Sequence, residues 1–208
     1  MFARTVTSDS RPESVDEGIV YIQDTVFPQV REMPGCIGLS LVADRATGRC
    51  IATSAWDTEQ ALHDSDTTIR PIRERAAEIF GSIPQVDEWD LVTMHRLHPT
   101  PEGACVRSSW LQGDPADLDD LVAVFRTATL PALEGFEGFC SASLMVNRAQ
   151  GRALATIAYA DRDTLTATRE KANELRARTA SGMGRGANVQ DVREFDLVYA
   201  HLHAPEMV

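Results

Sequence analysis

The chain has 208 residues, 43% hydrophobic and 25% charged, a balance that shows no bias toward disorder and allows one large domain or two small ones. Its net charge of −11, with no local run of Lys and Arg, argues against a nucleic-acid partner or an anionic membrane surface. No apolar run approaches the roughly 20 residues needed to span a bilayer, and Met1 to Thr5 lack the apolar core of a signal peptide, so a cytoplasmic protein is expected.

In chain order, Phe2–Thr7 reads as a strand carrying Arg4 among apolar neighbours. Val15, Ile19, Ile22, Val26 and Val30 then recur at helical spacing, with Pro28 placed late enough to bend or end the helix. Cys36–Ala43 and Arg49–Trp56 flank the turn Asp44-Arg45-Ala46-Thr47-Gly48, which predicts a β-hairpin with Gly48 at positive φ. On this reading Ile37, Leu39 and Leu41 share one side of the hairpin, and Trp56, Val42 and Cys50 the other. A second helix carries Leu62, Ile69, Ile72, Ala76 and Ile79, and Glu88–His95 closes the set as a strand.

The same order then recurs. A shift of 103 positions brings Arg4 onto Arg107, Pro28 onto Pro131, Gly35 onto Gly138, and Arg45-Ala46-Thr47-Gly48-Arg49 onto Arg148-Ala149-Gln150-Gly151-Arg152. After an insertion within the Gly-rich segment Ser181 to Ala187, Glu88-Trp89-Asp90-Leu91-Val92 meets Glu194-Phe195-Asp196-Leu197-Val198, and His95 meets His201. The second copy has strands at Cys105–Leu111, Phe139–Val146, Arg152–Tyr159 and Glu194–His201. Its first helix is marked by Leu118, Val122, Phe125, Thr129 and Leu133, a stripe with one polar exception.

A β-α-β-β-α-β order stated twice is the ferredoxin-like arrangement. The expected fold class is therefore α+β, two ferredoxin-like repeats packed sheet to sheet as an intramolecular α/β barrel. Two helices cover one face of a four-stranded sheet, and the apolar second face calls for a further cover. The expected boundaries are 1–97 for the first repeat, 98–103 for a Pro-containing linker, 104–203 for the second repeat and 204–208 for a tail.

The chemistry-bearing residues are few. Cys36, Cys50, Cys105 and Cys140 form no C-x-x-C pair and stand beside no His at ligand spacing, so no zinc or iron–sulfur site is expected, and the thiols read as buried. Trp56 and Tyr159 end matching strands, where each could stack on a flat ligand or cap the core beneath its helix. Trp110 has no aromatic counterpart and marks an asymmetry between the copies. His95 and His201 are candidate bases for abstracting a proton from a phenol or anthrone, with structural roles as the alternative. Arg4 and Arg107 could bind a phenolate or carboxylate, or pair with Glu88 or Asp90 and with Glu194 or Asp196 on a neighbouring strand. Arg73, Arg75, Arg176 and Arg178 read as a solvated helix face, and Gly182-Met183-Gly184-Arg185-Gly186 as a loop that could cover a pocket.

Pro34-Gly35, the hairpin and the run Ala52-Thr53-Ser54-Ala55-Trp56-Asp57-Thr58-Glu59-Gln60-Ala61-Leu62 resemble the antibiotic-biosynthesis-monooxygenase family of dimeric α/β barrels. The resemblance covers both halves and is clearest in the first. It implies oxidation of a small apolar or aromatic molecule without a cofactor, with His95 and His201 as catalytic candidates and Trp56, Trp110, Tyr159, Arg4 and Arg107 binding substrate. The alternative is a non-catalytic ligand-binding or assembly module of the same fold. The family's haem-degrading branch uses an Asn, a Trp and an iron-ligating His. Those places hold about Thr7, Ser65 and Glu74 in one copy and Trp110, Thr168 and Ala177 in the other, so haem degradation is not expected. The expected partners are a small-molecule ligand and a second copy of the chain.

Overall fold

A computed structural model describes residues 1–181, 188–202 and 205–207. The elements run β1 (Phe2–Asp9), α1 (Val15–Tyr21), α2 (Phe27–Arg31), β2 (Cys36–Asp44), β3 (Arg49–Trp56), α3 (Glu59–Phe80) and β4 (Gln85–Arg96). They repeat as β5 (Cys105–Gln112), α4 (Leu118–Val124), α5 (Leu130–Glu134), β6 (Phe139–Asn147), β7 (Arg152–Tyr159), α6 (Arg162–Ala167), α7 (Arg169–Ser181) and β8 (Asn188–Leu202).

The chain folds into two compact units, one of Met1–Trp89 with Asp196–Ala204, the other of Asp90–Phe195 with Pro205–Val208. The first unit has the strand order β4-β1-β3-β2-β8 and the second β8-β5-β7-β6-β4, so β4 and β8 each contribute to both. The order thereby closes on itself into an eight-stranded antiparallel barrel. The fold class is α+β, with the ferredoxin-like order stated twice.

Within the first unit β1 and β3 pair from Phe2 opposite Trp56 to Asp9 opposite Arg49, and β2 and β3 from Cys36 opposite Trp56 to Asp44 opposite Arg49. A bulge between Cys36 and Gly38 interrupts the alternation. The pairing register corrects the sequence reading of the hairpin faces. Leu39, Leu41, Ala43, Cys50 and Trp56 all belong to the cluster beneath the helices, while Val42 and Ile51 are buried outside it. Cross-strand pairing is the reason, because Cys50 stands opposite Ala43 and Ala52 opposite Leu41.

The first helix of each unit is split by a π turn, Ile22–Val26 and Phe125–Thr129, directly ahead of Pro28 and Pro131. Proline has no N–H to donate to the preceding turn and its ring crowds the carbonyl there. A widened turn relieves that crowding and lets the helix continue instead of ending. Pro71 lies inside α3, and its counterpart Glu174 lies inside α7; the second unit breaks earlier, with Thr168 between α6 and α7 at the place of Ser65.

The hairpin glycines are obligatory. Gly48 has φ 84°, and a Cβ there would lie 1.9 Å from the Ser10 carbonyl oxygen; Gly151 has φ 65°, with Gly113 O at 2.2 Å. Gly81, the C-cap of α3, also has positive φ but open space around it. Gly81→Ala should therefore cost only the strain of the left-handed conformation, about 1 kcal/mol. Gly48→Ala adds a backbone clash and should cost roughly 2–3 kcal/mol. Urea unfolding of the two variants checks the difference, and equal losses would contradict the close approach.

Candidate functional site

Each unit holds one arginine under its helices, and the hydrogen bonds repeat position by position. In the first unit Arg4 Nη2 donates to the Leu62 carbonyl at 3.0 Å and to Glu88 Oε1 at 2.9 Å, while Nη1 donates to Ser65 Oγ at 3.0 Å. In the second, Arg107 Nη2 donates to the Leu165 carbonyl at 2.5 Å and to Glu194 Oε1 at 2.9 Å. Its Nη1 lies 3.4 Å from the Tyr159 hydroxyl, with the guanidinium carbon 5.4 Å from the centre of that ring. Both arginines are buried, so each donor left without an acceptor would carry the full cost of desolvation.

Glu194 takes a second pair of hydrogen bonds from Arg169, the shorter at 2.7 Å. Burial alone would raise its carboxyl, but the hydrogen bonds and charges of Arg169 and Arg107 hold it below the usual carboxylate range. Tyr159 moves the other way, pushed up by burial against the opposing pull of Arg107, and so keeps its proton at neutral pH.

Beside this cluster the second unit encloses a cavity of about 50 Å³ between sheet and helices. Arg107, Tyr159 and Arg176 line one part of it, while Leu121, Phe125, Leu144, Ile157 and Leu175 supply most of the remaining wall. Burial and then the charge of Arg107 pull Arg176 below its ordinary value, as expected of two cations converging on one hydroxyl. Thr129 and Thr179 share a buried hydrogen bond of 2.6 Å in the same wall. At one water per 10–15 Å³ the space holds about four waters; a cavity of about 150 Å³ admits a benzene ring, so a single ring enters here as the wall side chains move apart. The first unit has a cavity of about 20 Å³ in the equivalent place. It also has a polar surface groove of about 390 Å³ around Gly35, Asp57, Gln60, Asp64 and Thr68.

No family profile matches the sequence. Two uncharacterised proteins of Mycobacterium tuberculosis, Rv2558 and Rv2557, are 46% and 43% identical to the chain across its whole length, which spans 88% and 92% of theirs. The chain belongs to the family of these two proteins. Among solved structures, an anthrone oxidase-like protein superposes with a TM-score of 0.65 at 9% identity, covering 98% of this chain and 94% of that one. A ferredoxin-fold protein from Listeria monocytogenes related to antibiotic biosynthesis monooxygenases superposes at 0.55, with 6% identity over 95% of this chain and 94% of the other. A haem-degrading enzyme from the same organism superposes at 0.54, with 6% identity over 93% and 98%. At these identities the family shares their fold.

The structure distributes the sequence candidates unevenly across the family fold. Arg107 and Tyr159 meet at the cavity. Arg4 is saturated by Glu88, Ser65 and Leu62 and lines none of the three cavities described. Trp56 is fully buried in the first unit's core, its indole N–H donating to Ser54 Oγ at 3.0 Å. Along β5, Arg107, Ser109 and Leu111 face the cavity, and alternation puts the half-buried Trp110 on the opposite face. His95 lies 2.5 Å from Glu206 through Nδ1 and 2.9 Å from Glu134 through Nε2. His201, half-buried on β8, stands opposite Leu39. Neither histidine lines the three cavities.

Arg176 and Arg73 correct the reading of a solvated helix face, since both are half-buried and line cavities. Thr129 carried a visible signal, being the one polar break in its stripe; Ser109 carried none. The Gly182–Gly186 loop lies outside the described residues. Among those described, no group of three or more His, Cys, Asp or Glu could hold a metal, and no helix is long and apolar enough to cross a membrane. Cys50, whose thiol burial pushes up to about 12, lines the first unit's cavity as an inert wall.

The depressed Glu194 titration gives a pH dependence with a definite sign. A carboxyl that titrates lower folded than unfolded contributes stability that is complete above about pH 5 and lost as pH falls through the folded value. Glu194→Gln should flatten this acid limb of the stability profile. It should also cost about 3 kcal/mol at pH 7, the low end for a buried pair, because Glu194 keeps 20% of its side-chain surface in water. Urea midpoints measured between pH 3 and 7 for both proteins supply the comparison.

Proposed function

We propose that the second unit binds a small, largely apolar molecule of about one ring through an acidic oxygen: a phenolate, an enolate or a carboxylate. The observation that carries this reading is the convergence of Arg107, Arg176 and the Tyr159 hydroxyl on an otherwise apolar cavity. Arg169 and Arg107 share the single carboxylate of Glu194, and Arg176 bonds to the neutral Asn173, so positive charge is in excess there. An anion brings the missing charge and accepts the Tyr159 proton in a hydrogen bond, while its apolar body replaces water against leucine and phenylalanine.

Arg176→Met tests this more cleanly than a change at Arg107, which also ties strands to helix. Benzoate or phenol measured by calorimetry should lose affinity by roughly tenfold, equivalent to about 1.4 kcal/mol, while an uncharged ring such as toluene should not. Binding of neither compound at millimolar concentration, or binding indifferent to both Arg176→Met and Tyr159→Phe, would remove the reading.

A second reading adds chemistry. The same two guanidinium groups favour the deprotonated form of an enolisable substrate, the electron-rich species that O2 oxidises, and one structural neighbour is an anthrone oxidase-like protein. In such a reaction a methylene and O2 become a carbonyl and water, the substrate supplying the electrons. His95 and His201 are its candidate bases, with Trp56, Trp110 and Arg4 as contacts to substrate. A cavity of about 50 Å³ admits a tricyclic anthrone only after far larger movements than a single ring needs, so the binding reading stands first. Anthrone turnover should fall in His95→Ala combined with His201→Ala if these are the bases; turnover equal to that of the unaltered protein would take both out of the mechanism. The reading also keeps the protein in the cytoplasm and pairs two chains, and light scattering that gives a single-chain mass would exclude the pairing.

A further inference from the structure

Residue by residue the cavity of the second unit has a counterpart in the first. On the sheet, Val6, Leu41 and Ala52 stand for Ser109, Leu144 and Ala155; on the helices, Ile22, Arg73 and Ala76 stand for Phe125, Arg176 and Thr179. Yet the first unit's space is about 20 Å³ against about 50 Å³.

What closes it is identifiable. Phe80, the last residue of α3, is buried with its ring laid over Gly18, where an added Cβ would lie 2.1 Å from Phe80 Cε1. The second unit has Leu121 at the place of Gly18, which leaves no room for such a ring. At the arginine end the first unit carries Trp56 and Ile69, both buried, where the second has Tyr159 and the small Ala172. Arg73 remains in the wall of the closed space. Its Nη2 lies 3.2 Å from Asp66, but its Nη1 is buried with no hydrogen-bond partner among the described residues. A guanidinium N–H in that state lacks one oxygen acceptor, the group a bound phenol or carboxylate would present.

We propose that the first unit retains the ligand site in closed form, filled by the Phe80 ring, and that removing this ring opens a site for a one-ring phenol beside Arg73. The proposal shares its ligand class with the reading of the second unit and rests on it in that respect alone. The closed site accounts for two repeats with the same scaffold and unequal cavities.

The probe is 4-iodophenol, located by the anomalous scattering of iodine in soaked crystals and counted by calorimetric titration. In Phe80→Ala, iodine should appear in the first unit between Gly18 and Arg73, with the hydroxyl in hydrogen-bond distance of Nη1, and the stoichiometry should rise by one site per chain. An empty first unit in that variant overturns the proposal, and so does iodine in the first unit of the unaltered protein. Should Phe80→Ala not fold, Phe80→Val keeps part of the packing and still vacates the ring, and is judged by the same two criteria. Iodine in the first unit of the variant with none in the second unit of either protein leaves this proposal standing and removes the reading of the second unit.

Discussion

A guanidinium with no access to water must find an acceptor for each of its donors, and in both units that requirement decides how strand and helix meet. Arg4 and Arg107 come from the first strand of their units, Glu88 and Glu194 from the last, and the carbonyls of Leu62 and Leu165 from the second helix. The bonds therefore tie three elements at one point, and none can shift without stranding a buried charge. The pairs also differ in one instructive way. The remaining donor of Arg4 goes to the helical Ser65, whereas that of Arg107 turns to Tyr159 at the cavity wall. One anchor is complete within the scaffold, and the other shares its charge with an enclosed space.

The architecture was legible in the sequence because it depends on spacing. A register held over 103 positions implies two copies of one unit, and the apolar periods within it place helices and strands to within a few residues. The pairing of Arg4 with Glu88 and of Arg107 with Glu194 could be read as one of two options at each arginine, since neighbouring strands present opposite charges. The side of the hairpin on which Trp56 and Cys50 lie could not. It depends on which residues of the turn pair: Asp44 stands opposite Arg49, which puts Cys50, and with it Trp56, on the face of Ala43, Leu41 and Leu39, and spacing alone does not choose that register.

The cavity was illegible for a different reason. It arises from side-chain volume at positions that all read as ordinary core: Ala172 for Ile69, Tyr159 for Trp56, Leu121 for Gly18. Pattern analysis records each as apolar and stops there. Arg176 was hidden by the same limit, because a helix rich in Arg and Glu looks solvated on every face until the sheet beneath it is placed. The trace that could have been followed was polarity inside the stripe, at Thr129, and a change of aromatic type between the copies, from Trp56 to Tyr159.

Enclosed space has an energetic meaning that sequence pattern cannot express. At about 24 cal/mol per Å³, a void of this size forfeits on the order of 1 kcal/mol of packing. That is a sizeable fraction of the 5–15 kcal/mol that hold a domain together. The first unit shows that this scaffold can recover the loss with common side chains, by placing Ile69, Trp56 and Phe80 where the second unit has smaller or differently directed groups. The second unit does not do so, and it keeps two guanidinium groups and a protonated phenol against the unfilled volume. Unfilled volume and unneutralised charge are each unfavourable for folding alone. On the proposed reading they become favourable together when something apolar and anionic enters, which would tie the loss of stability in the second unit to occupancy of its cavity.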